Sequence, residues 1–123
     1  VTASSIDRTG PDLVTIDVSG TGTARRLSAA GEVDSTSAPV LREHLDALID
    51  AGVADLTVDL TGVTFIDSAG LCVLAAAYRR ATADDRRFHV LASSRAVIRP
   101  LQITGLFDLL QVEKVAPGAD SAA

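Results

Sequence analysis

The chain is short of aromatic residues, which make up 3% of its 123 positions. Its core must therefore be built from Val, Leu, Ile and Ala, within an apolar content of 47%. Such a core favours close packing of helices on a sheet over a large ring-lined ligand pocket. The single cysteine, Cys72, excludes an internal disulfide. No Cys–His spacing of a metal site is present. Basic residues are outnumbered: 11 Lys and Arg face 16 Asp and Glu, for a net charge of −5. That balance argues against nonspecific attraction to nucleic acid or an anionic membrane. No apolar run reaches the roughly 18 residues of a membrane span. The opening VTASSIDRTG has no apolar signal-peptide core. No G-x-x-x-x-G-K-[ST] loop occurs, so ATP hydrolysis has no support. The absences point to a soluble cytoplasmic protein. A mean hydropathy of +0.30 leaves room for an apolar partner-binding surface.

What is present reads as one domain of alternating strands and helices. A chain of this length buries roughly two-thirds of its unfolded surface. Leu13, Val14, Ile16 and Val18 predict a first strand, and the Gly-rich SGTGT a turn. Residues 27–33 predict a second strand, antiparallel to the first. Ser35, Thr36 and Ser37 offer N-caps, and Pro39 suits a first helical turn. Leu41, Leu45, Leu48 and Ile49 then repeat at helical spacing up to Gly52. Residues 55–60 predict a central strand that runs out at Thr61-Gly62. A second helix opens at Ser68, with Leu71, Leu74, Ala75 and Tyr78 as its core stripe. Residues 88–92 predict another strand. Residues 94–104 have helical composition, but Pro100 predicts a short or kinked element. Residues 109–112 read as a short last strand. This alternation predicts an α/β fold with a largely parallel sheet of four to five strands and helices mainly on one face. No internal repeat or second domain is visible.

The most informative stretch is VDLTGVTFIDSAGLCVLAAAYRRA, residues 58–81. It places a hydroxyl, Ser68, at the expected N-cap of a helix, beside the Asp67 carboxylate. A helix N-terminus presents backbone N–H groups and a positive dipole end, so it tolerates an added phosphate. Taken by itself, the serine is most simply a cap worth about 1 kcal/mol. It lacks a plausible general base. Of the two histidines, His44 falls mid-helix and His89 alternates within a strand. Asp34 and Asp67 are simple turn and cap residues, or else carboxylates that frame Ser68 and repel a phosphate there. No third oxygen ligand supports a Mg²⁺ site beside them. In a parallel sheet, the strands ending in GEVD and TGVTFIDS deliver Asp34 and Ser68 to one edge. The arginine pairs at 25–26, 79–80 and 86–87 read as solvated charges, and Cys72 as a small packing residue.

VDLTGVTFIDSAGLCVL resembles the signature of the STAS domain, in particular the free-standing anti-sigma factor antagonists of bacteria. LSAAGEVDSTSAPVLREHLDALI and ITGLFDLLQV resemble the family's Gly-Glu-Leu-Asp segment with its first helix and its C-terminal Gly-Leu segment. The resemblance implies a STAS domain over residues 12–113, flanked by a flexible N-terminus (1–11) and a flexible tail (114–123). It implies a protein that binds an anti-sigma factor, commonly a serine kinase, and so releases a sigma factor. Phosphorylation at Ser68 switches such a protein off, and a phosphatase reverses the switch. Asp34, Asp67 and Gly70 stand near the implied phosphosite. Glu32, Asp34, Thr36 and Ser68 belong to the implied partner surface. The ATP of the cycle belongs to the kinase, so neither enzymatic activity nor a cofactor is assigned to this chain. A monomer or weak dimer is expected. Two positions depart from the family pattern: Ala69 stands where a second serine is common, and Cys72 where a smaller residue is usual.

Helical geometry adds an expectation of its own. Counting about 100° per residue from Ser68, the core stripe spans roughly 240–340°. Ala69, Cys72, Val73 and Ala76 fall at roughly 40–140°, where a surface helix ordinarily carries Lys, Glu or Gln. A small, apolar face there is covered by a neighbouring loop, used for self-association, or offered to a partner, and the preferred expectation is a partner-binding surface running from Ser68 along Ala69, Cys72, Val73 and Ala76. The rival functional readings are a STAS scaffold subunit of a signalling or transporter-associated complex and a small nucleotide-binding protein.

Overall fold

The computed structural model describes the backbone of residues 7–9 and all of residues 14–115. The strands are β1 (Asp7–Thr9), β2 (Val14–Thr21), β3 (Ala24–Val33), β4 (Asp55–Ile66), β5 (Arg87–Ala92) and β6 (Glu113–Lys114). They form one sheet in the order β1-β2-β3-β4-β5-β6. The pairs β1–β2 and β2–β3 are antiparallel, and the pairs from β3 to β6 are parallel. The helices are α1 (Ala38–Asp50), α2 (Ser68–Ala83), α3 (Arg95–Ile103) and α4 (Leu106–Leu109). The sheet advances by one strand at each parallel connection. Right-handed crossovers of that kind place every connecting helix on the same face, as the alternation predicts. Four of the strands, β2 to β5, answer to those read from the sequence. Of the other two, β1 falls inside the stretch read as a flexible N-terminus, and Lys114 of β6 falls inside the stretch read as tail. The rest of those two stretches lies outside the described residues, apart from Val115.

The apolar residues of each strand alternate toward the helices. Val14 and Ile16, Leu27 and Ala29, Leu56, Val58 and Leu60, and Phe88 and Val90 are buried. They form one cluster with Leu41, Leu45, Leu74, Leu101 and Leu110. At 25 cal/mol per Å², burying one such Leu contributes about 2 kcal/mol. The opposite face is polar. There Asp59 is only 3% exposed, yet its carboxylate accepts from Arg26, from the Thr61 hydroxyl at 2.6 Å and from the Thr61 amide at 2.9 Å. Burial raises its pKa, but the Thr61 and Arg26 hydrogen bonds outweigh that and hold the carboxyl below its ordinary value.

Several sequence expectations need correction. Thr61-Gly62 does not end the central strand, because β4 continues to Ile66. A Cβ on Gly62 would lie 3.0 Å from the Ala30 Cβ and 3.3 Å from the Ala29 carbonyl oxygen. The glycine therefore serves a close strand–strand approach where the β3–β4 register shifts. Residues 109–112 are not a strand. Leu106–Leu109 form α4, closed by Leu110 N–H to the Leu106 carbonyl at 2.8 Å, and the last strand is Glu113–Lys114. Leu106 and Leu110 share a helical face, a spacing that a strand reading overlooks. By contrast, the expected short element around Pro100 is there, as the single nine-residue helix α3 with the proline inside it. The arginine pairs are not all solvated charges. Arg26 binds Asp59, Arg80 bridges α2 to Asp46 and Asp50 of α1, and Arg86 donates to the Val53 carbonyl.

Candidate functional site

The ends of β3 and β4 deliver the site. Val33 and Ile66 are register partners, and the Asp67 amide donates to the Val33 carbonyl at 3.0 Å. Asp34 and Asp67, one residue further along each strand, thus sit at the same edge of the sheet. α2 begins directly after this link. Its N-cap is Asp67, whose backbone is extended and whose Oδ1 accepts from the Ala69 and Gly70 amides at 2.9 and 3.3 Å. Ser68 is therefore the first helical residue and not the cap that the sequence suggests. Both residue types cap well, and the shorter path from the extended residue to the free amides decides for Asp67. The consequence is chemical. The Ser68 side chain is exposed and makes no side-chain hydrogen bond among the described residues.

Gly70 sets how closely α2 approaches the strands. A Cβ there would lie 2.7 Å from both Ile66 Cγ1 and Val33 Cγ1. Only glycine lets the first turn of α2 rest on the strand ends.

The neighbouring helix start differs. Asp34 Oδ1 accepts from the Thr36 and Ser37 amides at 2.9 and 3.1 Å. Ser37 is 1% exposed; its hydroxyl donates to the Glu32 carbonyl at 2.7 Å and accepts from the Asp34 amide at 3.0 Å. Glu32 and Thr36 are exposed beside this knot.

α1 and α2 run side by side and leave a groove of about 430 Å³ between them. Ala69, Cys72, Val73 and Ala76 line one wall; Ala38, Pro39 and Arg42 line the other, with Ser35 at the end nearest Ala69 and Arg79 on the α2 side. Cys72 is exposed and Ala69, Val73 and Ala76 are half-buried, so the small-residue face is neither interior nor fully open. The core side of α2 is wider than the sequence stripe, because Gly70, Ala77 and Ala81 are also buried.

A family model described as "Mlab, STAS domain" matches residues 15–111. An anti-sigma-B factor antagonist of Bacillus subtilis is 33% identical over 105 residues, 85% of this chain and 95% of that protein. The chain belongs to the STAS-domain family of anti-sigma factor antagonists. The crystal structure of an anti-sigma factor antagonist from Mycobacterium paratuberculosis superposes with a TM-score of 0.78. It is 32% identical and covers 93% of this chain and 94% of its own. The Bacillus cell fate determinant SpoIIAA in its phosphorylated form shares the fold at a TM-score of 0.67. It is 18% identical over 87% of this chain and 95% of that one.

Within this STAS domain, the structure brings together Asp34, Asp67, Ser68 and Gly70, with Glu32 and Thr36 on the adjoining edge. His89 stands apart, with Nε2 3.4 Å from Asp55 at the start of β4. His44 bonds through Nδ1 to the Val40 carbonyl at 2.9 Å within α1. Sequence reasoning missed three features. Ala38, Pro39 and Arg42 form the α1 wall of the groove, and their i, i+1, i+4 spacing was the available signal. Phe65 is 46% exposed, opposite Glu32 in the β3–β4 register; no periodicity distinguishes it from its buried neighbours Val63 and Ile66. Ser37 is an internal strut, which nothing in the DSTS run singles out. No group of three or more His, Cys, Asp or Glu among the described residues is placed to hold a metal. Among those residues, no helix is long and apolar enough to cross a membrane.

Proposed function

We propose that this chain is a cytoplasmic anti-sigma factor antagonist that acts by binding and not by catalysis. It docks an anti-sigma factor of the serine-kinase type on the face built from Ser68 and the α1–α2 groove. Phosphorylation at Ser68 releases the partner, and a phosphatase restores binding. The observation that carries the reading is the unbonded Ser68 hydroxyl, exposed at the first position of α2 where the groove begins. Because Asp67 already occupies the Ala69 and Gly70 amides, a phosphate on Ser68 would stay outside the helix end. It would add about −1.5 to −2 charge beside an existing carboxylate. The favourable helix dipole, worth up to about 1 kcal/mol at an exposed site, cannot bind such a group tightly against that repulsion. The charge is left in the contact surface, where the partner must desolvate it.

The small residues of the groove allow a partner backbone to approach closely. Glu32, Asp34, Thr36 and the exposed Phe65 extend the surface along the strand ends. Inverting occupancy from 99:1 to 1:99 requires about 5.5 kcal/mol of differential affinity. Desolvation and charge repulsion at a central contact are of that order when added together. Incubation with the cognate kinase and ATP is expected to add one phosphate, at Ser68, and to abolish partner binding in calorimetry. Modification at another residue, or tight binding by the fully phosphorylated protein, would overturn the assignment. Cys72→Arg and Ala76→Arg test the groove separately. Each is expected to weaken anti-sigma binding with little change in melting temperature, and normal binding by both would remove the groove from the interface.

A further inference from the structure

A second cavity opens away from the α1–α2 groove, at the carboxyl end of β5. It measures about 380 Å³ and is walled by Ser93, Arg95, Ile98, Arg99, Gln102 and Lys114. Arg95, Arg99 and Gln102 are spaced i, i+4 and i+7 on α3, so they form one stripe along that helix. Lys114 closes the other side from β6, the edge strand whose register partner is Ala92 of β5. The cavity thus has three cations and an amide around it, and none of its six walls is acidic.

This gathering of cations without an acid runs against the net charge of the molecule. The chain carries a net charge of −5, and four arginines outside this pocket find carboxylates: Arg26 with Asp59, Arg42 with Asp46, Arg80 with Asp46 and Asp50, Arg86 with Asp84. Arg95, Arg99 and Lys114 make no ion pair among the described residues. Three like charges gathered around one concavity repel one another, and a bound anion would relieve that repulsion. Two guanidinium forks and an ammonium suit phosphate oxygens. The only apolar wall is Ile98, and no aromatic ring is present on which a nucleobase could stack.

We propose that this pocket binds a compact, multiply charged phosphate, with inorganic pyrophosphate as its simplest form. Arg95 and Arg99 grip one phosphate and Lys114 the other, and Gln102 donates from the rim. The same chemistry is offered by free pyrophosphate and by the diphosphate end of a nucleotide. Without a ring partner, the pocket gains nothing from a base.

Calorimetry on the full chain tests this with pyrophosphate as the titrant. Saturable one-to-one binding is expected, weakened at least tenfold by Arg99→Gln and by Lys114→Gln and falling steeply with salt. The replaced side chains are exposed, so melting temperatures should stay unchanged. Arg87→Gln, an exposed arginine at the start of β5, should bind as the parent does. Adenosine diphosphate should bind no more tightly than pyrophosphate; a tenfold preference for it would overturn the proposal in favour of a base-reading site. Tighter binding of a hexaglutamate peptide would overturn it in favour of an acidic protein partner. No saturable binding, or equal losses in Arg87→Gln and Arg99→Gln, would overturn it outright. None of these readouts depends on Ser68 or on an anti-sigma factor.

Discussion

The two helix starts at the edge of the sheet look alike in sequence and do opposite things with their hydroxyls. Each follows a parallel strand and each opens with Asp-Ser, as Asp34-Ser35 and Asp67-Ser68. At α1 the serine two positions further on, Ser37, is buried, and its hydroxyl ties Glu32 and Asp34 together. At α2 the aspartate alone satisfies the free amides, and Ser68 keeps its hydroxyl exposed. The difference lies in what each hydroxyl meets, since neither serine caps its helix with its side chain. A hydroxyl bonded back to the strand end is held by the fold and withheld from chemistry, whereas one that meets no partner among the described residues is left available. The α1 start is a structural knot, and the α2 start is a surface.

The largest effect is expected where the α2 start meets the strands. Gly70→Val puts carbon atoms into space held by Ile66 and Val33, both buried. Overpacking of this kind should cost about 3 kcal/mol, read as a lower denaturation midpoint with an unchanged slope. If Gly70→Val is neutral, α2 does not rest on the strand ends as described. Ser37→Ala should come next, at about 2 kcal/mol, because it leaves the Glu32 carbonyl and the Asp34 amide without their partner in a partly buried place. Asp67→Ala should cost about 1 kcal/mol, the usual value of a lost N-cap. The order of these last two sharpens the comparison. A larger loss at Asp67 than at Ser37 would mean that α2, and not α1, carries the structural knot.

Much of this edge was legible in the sequence because it depends on short-range rules. Strand–helix alternation gave the parallel sheet, and the GEVD and TGVTFIDS endings gave the meeting of Asp34 with Ser68. The small-residue stripe of α2 gave one wall of the groove. What escaped depends on the third dimension. Thr61-Gly62 reads as a turn until Ala30 of β3 is seen to press on Gly62. Asp67 and Ser68 are equally good caps until the backbone angles choose between them. Arg26 and Arg80 look like surface charges until Asp59, Asp46 and Asp50 arrive from distant parts of the chain. Phe65 sits between two buried apolar residues, and only the outer face of β4 shows it exposed.

The smallest stability effect is the most telling. Ser68→Ala removes a hydroxyl that is exposed and bonded to no other side chain or backbone group among the described residues. Alanine is also the best helix former, worth a few tenths of a kcal/mol over serine. Stability should therefore change by less than about 0.5 kcal/mol, with either sign. A true cap would lose about 1 kcal/mol. The thermal melt of Ser68→Ala thus separates the two roles without any partner protein. A loss comparable to that of Asp67→Ala would mean that Ser68 shares the capping work. Its hydroxyl would then be less available to a kinase than the geometry indicates. A silent melt, together with loss of phosphate uptake in the same variant, would place the two helix starts on opposite sides of the divide between holding the fold and reading a signal.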